Sequence, residues 1–428
     1  MPSQQLFVRF VFITLLLSWT SSTSFLPTSH RRSLHEKLLE TRRNPKLLQR
    51  EVYHNPHHDA VQAHLSDPGL TKLLTTNAKK TAVLEVARVD VFGLPFYMAN
   101  FAFGTPPQPF AMLIDLGYGG AVVRSVDCPT HHHLNDCGQR VFAYNHSVSS
   151  TSNDMGLRFS VGLGGQTAQG SLFGDTMHIV SLQVQNATLG AIDVFYGENL
   201  LLEILAEFCD GAIGLARPNQ TSSSYYDVQS RPNVLYELRE SGVLARDVMT
   251  LSLPKRNNDR GSLTLGEEPP PAKYRIALSE ASEIGEGWIV DLGGIYFNGT
   301  TIPLNISYTA SAAITLEPAF AIALPNEIVH TIFDYLGAHS SEDGEGGIID
   351  CKLRESLPDL TLTLGGQTVT FPWWQYTGVW WYDGRPYCLV EIQPTWGDEG
   401  GAVLGLPLLR NFDLSFDMDR NEIGLIES

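Results

Sequence analysis

Asp115 is the residue of this 428-residue chain whose surroundings most suggest chemistry. It closes the apolar run AMLID and precedes LGYGG, so a carboxylate stands where a strand-like segment meets a glycine-rich turn. A carboxylate held in that way can serve as a general acid or base. Two such groups about 3 Å apart cannot both ionise, so they share a proton and divide the roles. One then activates a water while the other donates to a carbonyl oxygen, and the pair titrates as one device. The chain offers a second segment of the same texture. AMLIDLGYGGAVV (111–123) is echoed by AAITLEPAFAIAL (312–324), and DGAIGLA (210–216) by AVLGLPLL (402–409). Each half therefore holds the same two elements in the same order, as expected of a duplicated two-lobed β protein with a cleft between its lobes.

Other constellations are less promising. Three adjacent histidines and Asp136 in HHHLND (131–136) offer zinc-ligating side chains. Neighbouring residues rarely converge on one ion without help from elsewhere, so an exposed polar loop is the preferred reading and no metal is expected. Asp127 and Asp136 add no known catalytic geometry. PWWQYTGVWWYDG (372–384) holds four tryptophans. Hairpin and core packing in the second half is the expectation, and a partner surface the alternative. No nucleophile elbow, phosphate-cradling glycine loop or CxxC pair is present, so no cofactor is expected.

The elements that must position Asp115 are mostly strands. From about Val83 onward, short runs such as YMANFAFG, FAMLID, LRFSVGLG and VMTLSLP alternate with Gly, Pro and Asn, which reads as all-β. Two helices are expected, NVLYELRESG ending at Gly242 and NEIVHTIFDYLGA ending near Gly337. Before this body, Arg9 and the short apolar run FVFITLLLSW, followed by small residues to Ser24, read as a cleaved secretory signal. That run is too short to span a bilayer, and no later stretch is long enough.

Residues 25–90 carry 11 Lys+Arg against 7 Asp+Glu, whereas residues 91–428 carry 17 against 39. A basic leader that docks on an acidic body fits this asymmetry, and the sign of the charge disfavours nucleic-acid binding. Five cysteines suit an oxidising compartment. Spacing leaves their connectivity open. We expect Cys128–Cys137 and Cys351–Cys388, with Cys209 left as a buried thiol and an intermolecular bridge through it as the lesser alternative. Five glycosylation sequons, at Asn145, Asn186, Asn219, Asn298 and Asn305, also point to the secretory or lysosomal pathway.

From Phe96 to Ile426 the chain resembles the pepsin-like aspartic endopeptidases. YMANFAFGTPPQPFAMLID, DGAIGLA, GSLTLG, LPDLTLTLGGQTVTF and AVLGLPLLRNFDLSFDMDRNEIGLIE follow that family's motifs in order. The resemblance implies an all-β, two-lobed fold with a central cleft and a few short helices. It implies a signal peptide at 1–24, a basic prosegment at 25–82, an N-terminal lobe at 83–268 and a C-terminal lobe at 269–428. It also implies hydrolysis of peptide bonds by two aspartates, and there the chain departs. Asp115 and Gly117 match the first apolar-Asp-Thr-Gly-Ser motif, but Leu116 replaces its threonine and Tyr118 its serine. The family places a proline nine residues after its second aspartate. Counting back from Pro325 gives Leu316, which is not catalytic. Glu317 could serve only after a one-residue slip that turns its side chain to the opposite face, and Pro318 stands where the family has glycine. Leu163 takes the place of the flap tyrosine, and Val122 that of a supporting tryptophan.

The expectation is therefore a monomeric, secreted homologue that has lost proteolysis and binds a peptide or apolar ligand in its cleft, whose floor Leu116, Tyr118, Leu163 and Leu316 would make apolar. An active acid endopeptidase built on Asp115, and an interaction protein that uses its outer surface, are the alternatives.

Overall fold

The computed structural model describes residues 81–91, 94–128, 142–163, 166–196, 209–218, 233–255, 259–279, 287–297, 300–301, 310–316, 322–340, 347–382, 385–395 and 401–427. The expected signal peptide, the leader up to residue 80, His131–His133, Asp136, Cys137, Asn219, Asn298, Asn305 and Glu317–Phe320 lie outside them.

Alternating apolar residues and turn-forming glycines make nearly every element a strand. The first half holds β1 (Ala82–Val91), β2 (Leu94–Phe103), β3 (Gln108–Asp115), β4 (Ala121–Arg124), β5 (Asn153–Leu163) and β6 (Gln166–Ile179). It continues with β7 (Leu182–Tyr196), β8 (Gly211–Gly214), β9 (Val248–Ser252) and β10 (Gly261–Leu265). The second half holds β11 (Tyr274–Ala277), β12 (Trp288–Phe297), β13 (Thr300–Thr301), β14 (Ala310–Ile314), β15 (Ile322–Leu324), β16 (His339–Ser340) and β17 (Gly347–Ile349). It ends with β18 (Leu360–Leu364), β19 (Gln367–Phe371), β20 (Thr377–Tyr382), β21 (Arg385–Val390), β22 (Ile392–Pro394), β23 (Ala402–Leu404), β24 (Phe412–Asp417) and β25 (Glu422–Glu427).

The largest sheet runs β11-β25-β24-β9-β10-β1-β2-β3-β8-β4-β7-β6-β5. Its β24–β9 pairing carries the end of the chain back onto the first half. A second sheet, β19-β18-β12-β14-β23-β15-β22, belongs to the second half, with β13 beside β12, and β16-β17-β21-β20 form a smaller third. The result is the two-lobed, all-β fold expected.

Three short α-helices, α1 (Val234–Glu240), α2 (Asn326–Leu336) and α3 (Leu406–Leu409), and three single-turn 3-10 helices complete the described structure. Asn233 caps α1 by accepting the N–H of Tyr236 at 2.9 Å, which satisfies one of the turn's orphan donors. Gly337 ends α2 at φ 64°, a left-handed conformation that glycine adopts without steric penalty. No helix among the described residues is long and apolar enough to cross a membrane.

One apolar core runs through both halves and includes Leu116, Trp288, Leu316 and Phe416. Trp288 and Phe416 pack with ring centroids 4.5 Å apart and planes tilted by 45°. A smaller cluster of Tyr118, Val122, Phe159, Val161, Ala168 and Phe195 includes residues from the turn-proximal half of the β5–β6 hairpin. Cys351 and Cys388 are bridged, joining the end of β17 to β21 as expected. Cys128 is also disulfide-bonded, and Cys209 is buried.

Candidate active site

Asp115 is the last residue of β3, which lies parallel to β8 from Met112↔Gly211 to Asp115↔Gly214. The Leu215 N–H donates to the Asp115 carbonyl at 2.7 Å, so the backbone is held on both sides of the turn. Glycine is required at 214, because a Cβ there would lie 2.2 Å from the Tyr118 carbonyl oxygen. The half-buried carboxyl accepts the Gly117 N–H at 2.7 Å on Oδ1. Burial raises its pKa, and the N–H groups of Gly117 and Tyr118 oppose that rise. Asp115 therefore holds its proton more strongly than an ordinary aspartate.

The turn rests on α1. The Val234 N–H donates to the Gly119 carbonyl at 2.8 Å, and Asn233 Nδ2 to the Ala216 carbonyl at 3.2 Å. α1 is tied in turn to β7 by Glu237, whose two carboxylate oxygens lie 3.0 and 3.1 Å from the Thr188 N–H. Burial pushes the Glu237 pKa up to about 7, against the lowering effect of the Thr188 side chain and N–H. Sequence reasoning missed this group. Its partner is 49 residues away, and a glutamate on a short amphipathic helix reads as solvated.

The second half repeats the arrangement strand for strand. In the first half, β8 lies between β3, parallel to it, and β4, antiparallel to it, and β4 is parallel to β7. In the second, β23 lies between parallel β14 and antiparallel β15, and β15 is parallel to β22. Ile213 faces both Ile114 and Ala121, and Leu404 faces both Ile314 and Ile322. Residues 115–120 separate the first pair and residues 315–321 the second, so the second loop is one residue longer.

Counting back from Ile322, as from Pro325, places Leu316 opposite Asp115. Counting forward from Ile314 places Thr315 there. Burial follows the forward count: Met112, Ile114 and Leu116 are buried and Leu113 and Asp115 half-buried, while Ala312, Ile314 and Leu316 are buried and Ala313 and Thr315 half-buried. The Thr315 N–H donates to the Leu404 carbonyl at 3.2 Å, which extends β14 in register. Neither count meets a carboxylate.

The apolar substitutions face the core rather than an open cleft floor. Leu116 is 0% exposed, Leu316 3% and Tyr118 2%. Alternation along each strand, continued into the turn, directs them inward. Tyr118 clusters with Val122 and with Phe159, Val161 and Ala168 of the β5–β6 hairpin, and Leu163 ends β5. Of the two described sequons, Asn145 accepts hydrogen bonds from the Ser147 N–H and hydroxyl, and Asn186 is exposed at φ 54°. Trp374 is 55% exposed, contrary to simple core packing, and stands edge-on to Trp373 at 5.7 Å. No cluster of metal-ligating side chains occurs among the described residues.

Similarity to known proteins places this geometry in context. Residues 96–428 match the family pattern described as eukaryotic aspartyl protease. Human gastricsin is 24% identical over 77% of this chain and 80% of its own length. Mouse gastricsin is 27% identical over 78% and 81% of the two chains, and bovine pepsin A 26% identical over 77% and 83%.

Proposed function

The chain belongs to the eukaryotic aspartyl protease family, and we propose that it is a member that has lost peptidase activity and binds a peptide or other apolar ligand in its cleft. The observation that carries this reading is the duplicated strand motif with an acid in one copy. Asp115 stands in the first, and both counts of the second end on Thr315 or Leu316, neither of which can ionise. A lone carboxyl can take up or release one proton. It cannot supply the acid and the base at once, which peptide hydrolysis by a shared-proton pair requires. Loss of one member of a concerted catalytic unit lowers rates by about 10⁴–10⁶.

Secretion fits this reading. The N-terminal 24 residues form a signal peptide, residues 25–82 a basic prosegment that an external protease would have to remove, and residues 83–268 and 269–428 the two lobes. The mature protein is then a glycosylated monomer. One observation favours a second use, of the outer surface: Leu353, Trp374 and Val379 are exposed near the Cys351–Cys388 bridge.

The test is incubation of the purified mature protein with denatured haemoglobin from acidic to neutral pH, beside D115N. The expected result is no cleavage by either. Cleavage by the wild type that D115N abolishes would refute the proposal.

A further inference from the structure

The seven-residue loop of the second half identifies which residue meets the cleft opposite Asp115. β3 and β14 have the same burial phase, and each pairs with the central strand of its own half at the same point, Ile114 with Ile213 and Ile314 with Leu404. The phase continues without a break through Leu116 and Leu316, which enter one core cluster. The additional residue of the second loop must therefore fall after Leu316.

A short series of bonds links the two positions. The Leu215 N–H donates to the Asp115 carbonyl, and buried Trp288 Nε1 donates to the Leu215 carbonyl at 2.9 Å. Trp288 is the β-pair partner of Ile314, the neighbour of Thr315.

We infer that Thr315 is the binding residue that faces Asp115 across the cleft, so that the ligand meets one carboxyl and one hydroxyl. This rests on the reading of the cleft as a ligand site. It names the chemistry that the site would take. A carboxyl in its neutral form is a donor with remaining acceptor capacity, and a threonine hydroxyl is a donor and an acceptor. Together they suit a neutral group with both functions, such as a main-chain amide or a secondary hydroxyl. They offer too little charge and too few ligands for a cation. Leu316, in contrast, fills the core beside the site and touches no ligand.

Two substitutions separate this assignment from the alternative count. T315D adds a second carboxyl at a half-exposed position facing Asp115. It should leave the melting temperature near that of the wild type at acidic pH and split the Asp115 carboxyl titration, followed by carbon NMR, into two steps. L316D places a charge in the core and should lower the melting temperature by roughly 10 °C or more. The opposite pattern, with L316D tolerated and coupled to Asp115 and T315D silent, would overturn the assignment. If T315D does not fold, T315N and L316N repeat the comparison without charge, and only the second should be strongly destabilised.

The ligand role is tested with a statine-containing peptide. T315V should weaken its binding about two- to tenfold, the loss of one net hydrogen bond. Unchanged affinity would remove the hydroxyl from the ligand's contacts. A probe that does not bind the wild type refutes the cleft-binding reading, while the titration and melting data still decide the position of Thr315.

Discussion

Replacing Glu237 by glutamine isolates a buried ionisation that the fold has placed beneath the Asp115 turn. The carboxyl's ordinary pKa of 4.5 is pushed up to about 7 in the folded protein. A folded-state value above the unfolded one means that the folded state binds the proton more tightly. The stabilisation is full below pH 4.5 and is lost as pH rises through about 7. At about 1.4 kcal/mol per pH unit, that interval corresponds to about 3 kcal/mol. Residual hydration of a half-buried side chain lowers the figure to about 2 kcal/mol. Glutamine keeps the amide-compatible shape and an acceptor for the Thr188 N–H but has no proton to lose. E237Q and wild type should therefore unfold at the same urea concentration at pH 4.5, and E237Q should be about 2 kcal/mol more stable above pH 7. Urea titrations across that range read the difference directly. Because α1 donates through Val234 to the Gly119 carbonyl, alkaline ionisation of Glu237 should also loosen the Asp115 turn, measurable as faster amide exchange at Gly117 and Gly119. Stability curves that stay parallel from acidic to alkaline pH would refute the reasoning, since no proton would then be linked to folding at this site.

Two further outcomes follow from the packing. Asp175 is fully buried and accepts the hydroxyls of Tyr144 at 2.7 Å, Ser149 at 3.0 Å and Thr151 at 2.6 Å. D175A leaves these buried donors without their common acceptor and should destabilise the protein by about 3 kcal/mol, read by calorimetry, whereas a change below about 1 kcal/mol would mean that the network does not form. The Cys351–Cys388 bridge closes a separation of 37 residues. The double serine variant should lose about 4 kcal/mol by chain entropy alone, measured as a lower urea midpoint, and an unchanged midpoint would contradict the bridge.

Much of the architecture was legible before any coordinates. Gly337 and Gly242 marked the helix ends because each takes a positive φ that other residues resist. The echo between 111–123 and 312–324 anticipated the duplicated strand motif, since the apolar runs that flank each irregular centre form strands that pair alike. The Cys351–Cys388 pair was recoverable because strand-like runs separated its ends. The register of the second loop was not. Counting from Pro325 assumes a loop of constant length, and only the β14–β23 pairing reveals the additional residue. The orientation of Leu116, Tyr118 and Leu316 escaped for a related reason: which face of a turn is buried depends on the strand beside it. Glu237 escaped altogether, because burial of a helical carboxylate against a distant strand leaves no local pattern. Trp374 was expected in the core because apolar composition alone does not report exposure.

The loss of the acid pair is most directly read from how Asp115 gives up its proton. With carbon-labelled aspartate, and D115N to assign the signal, the carboxyl shift is followed from acidic to neutral pH. One smooth inflection, displaced above the ordinary aspartate value of 3.8 by burial, is the result expected of a carboxyl that titrates alone. Two coupled inflections, the signature of a proton shared with a second carboxylate, would contradict it and return the protein to the working peptidases.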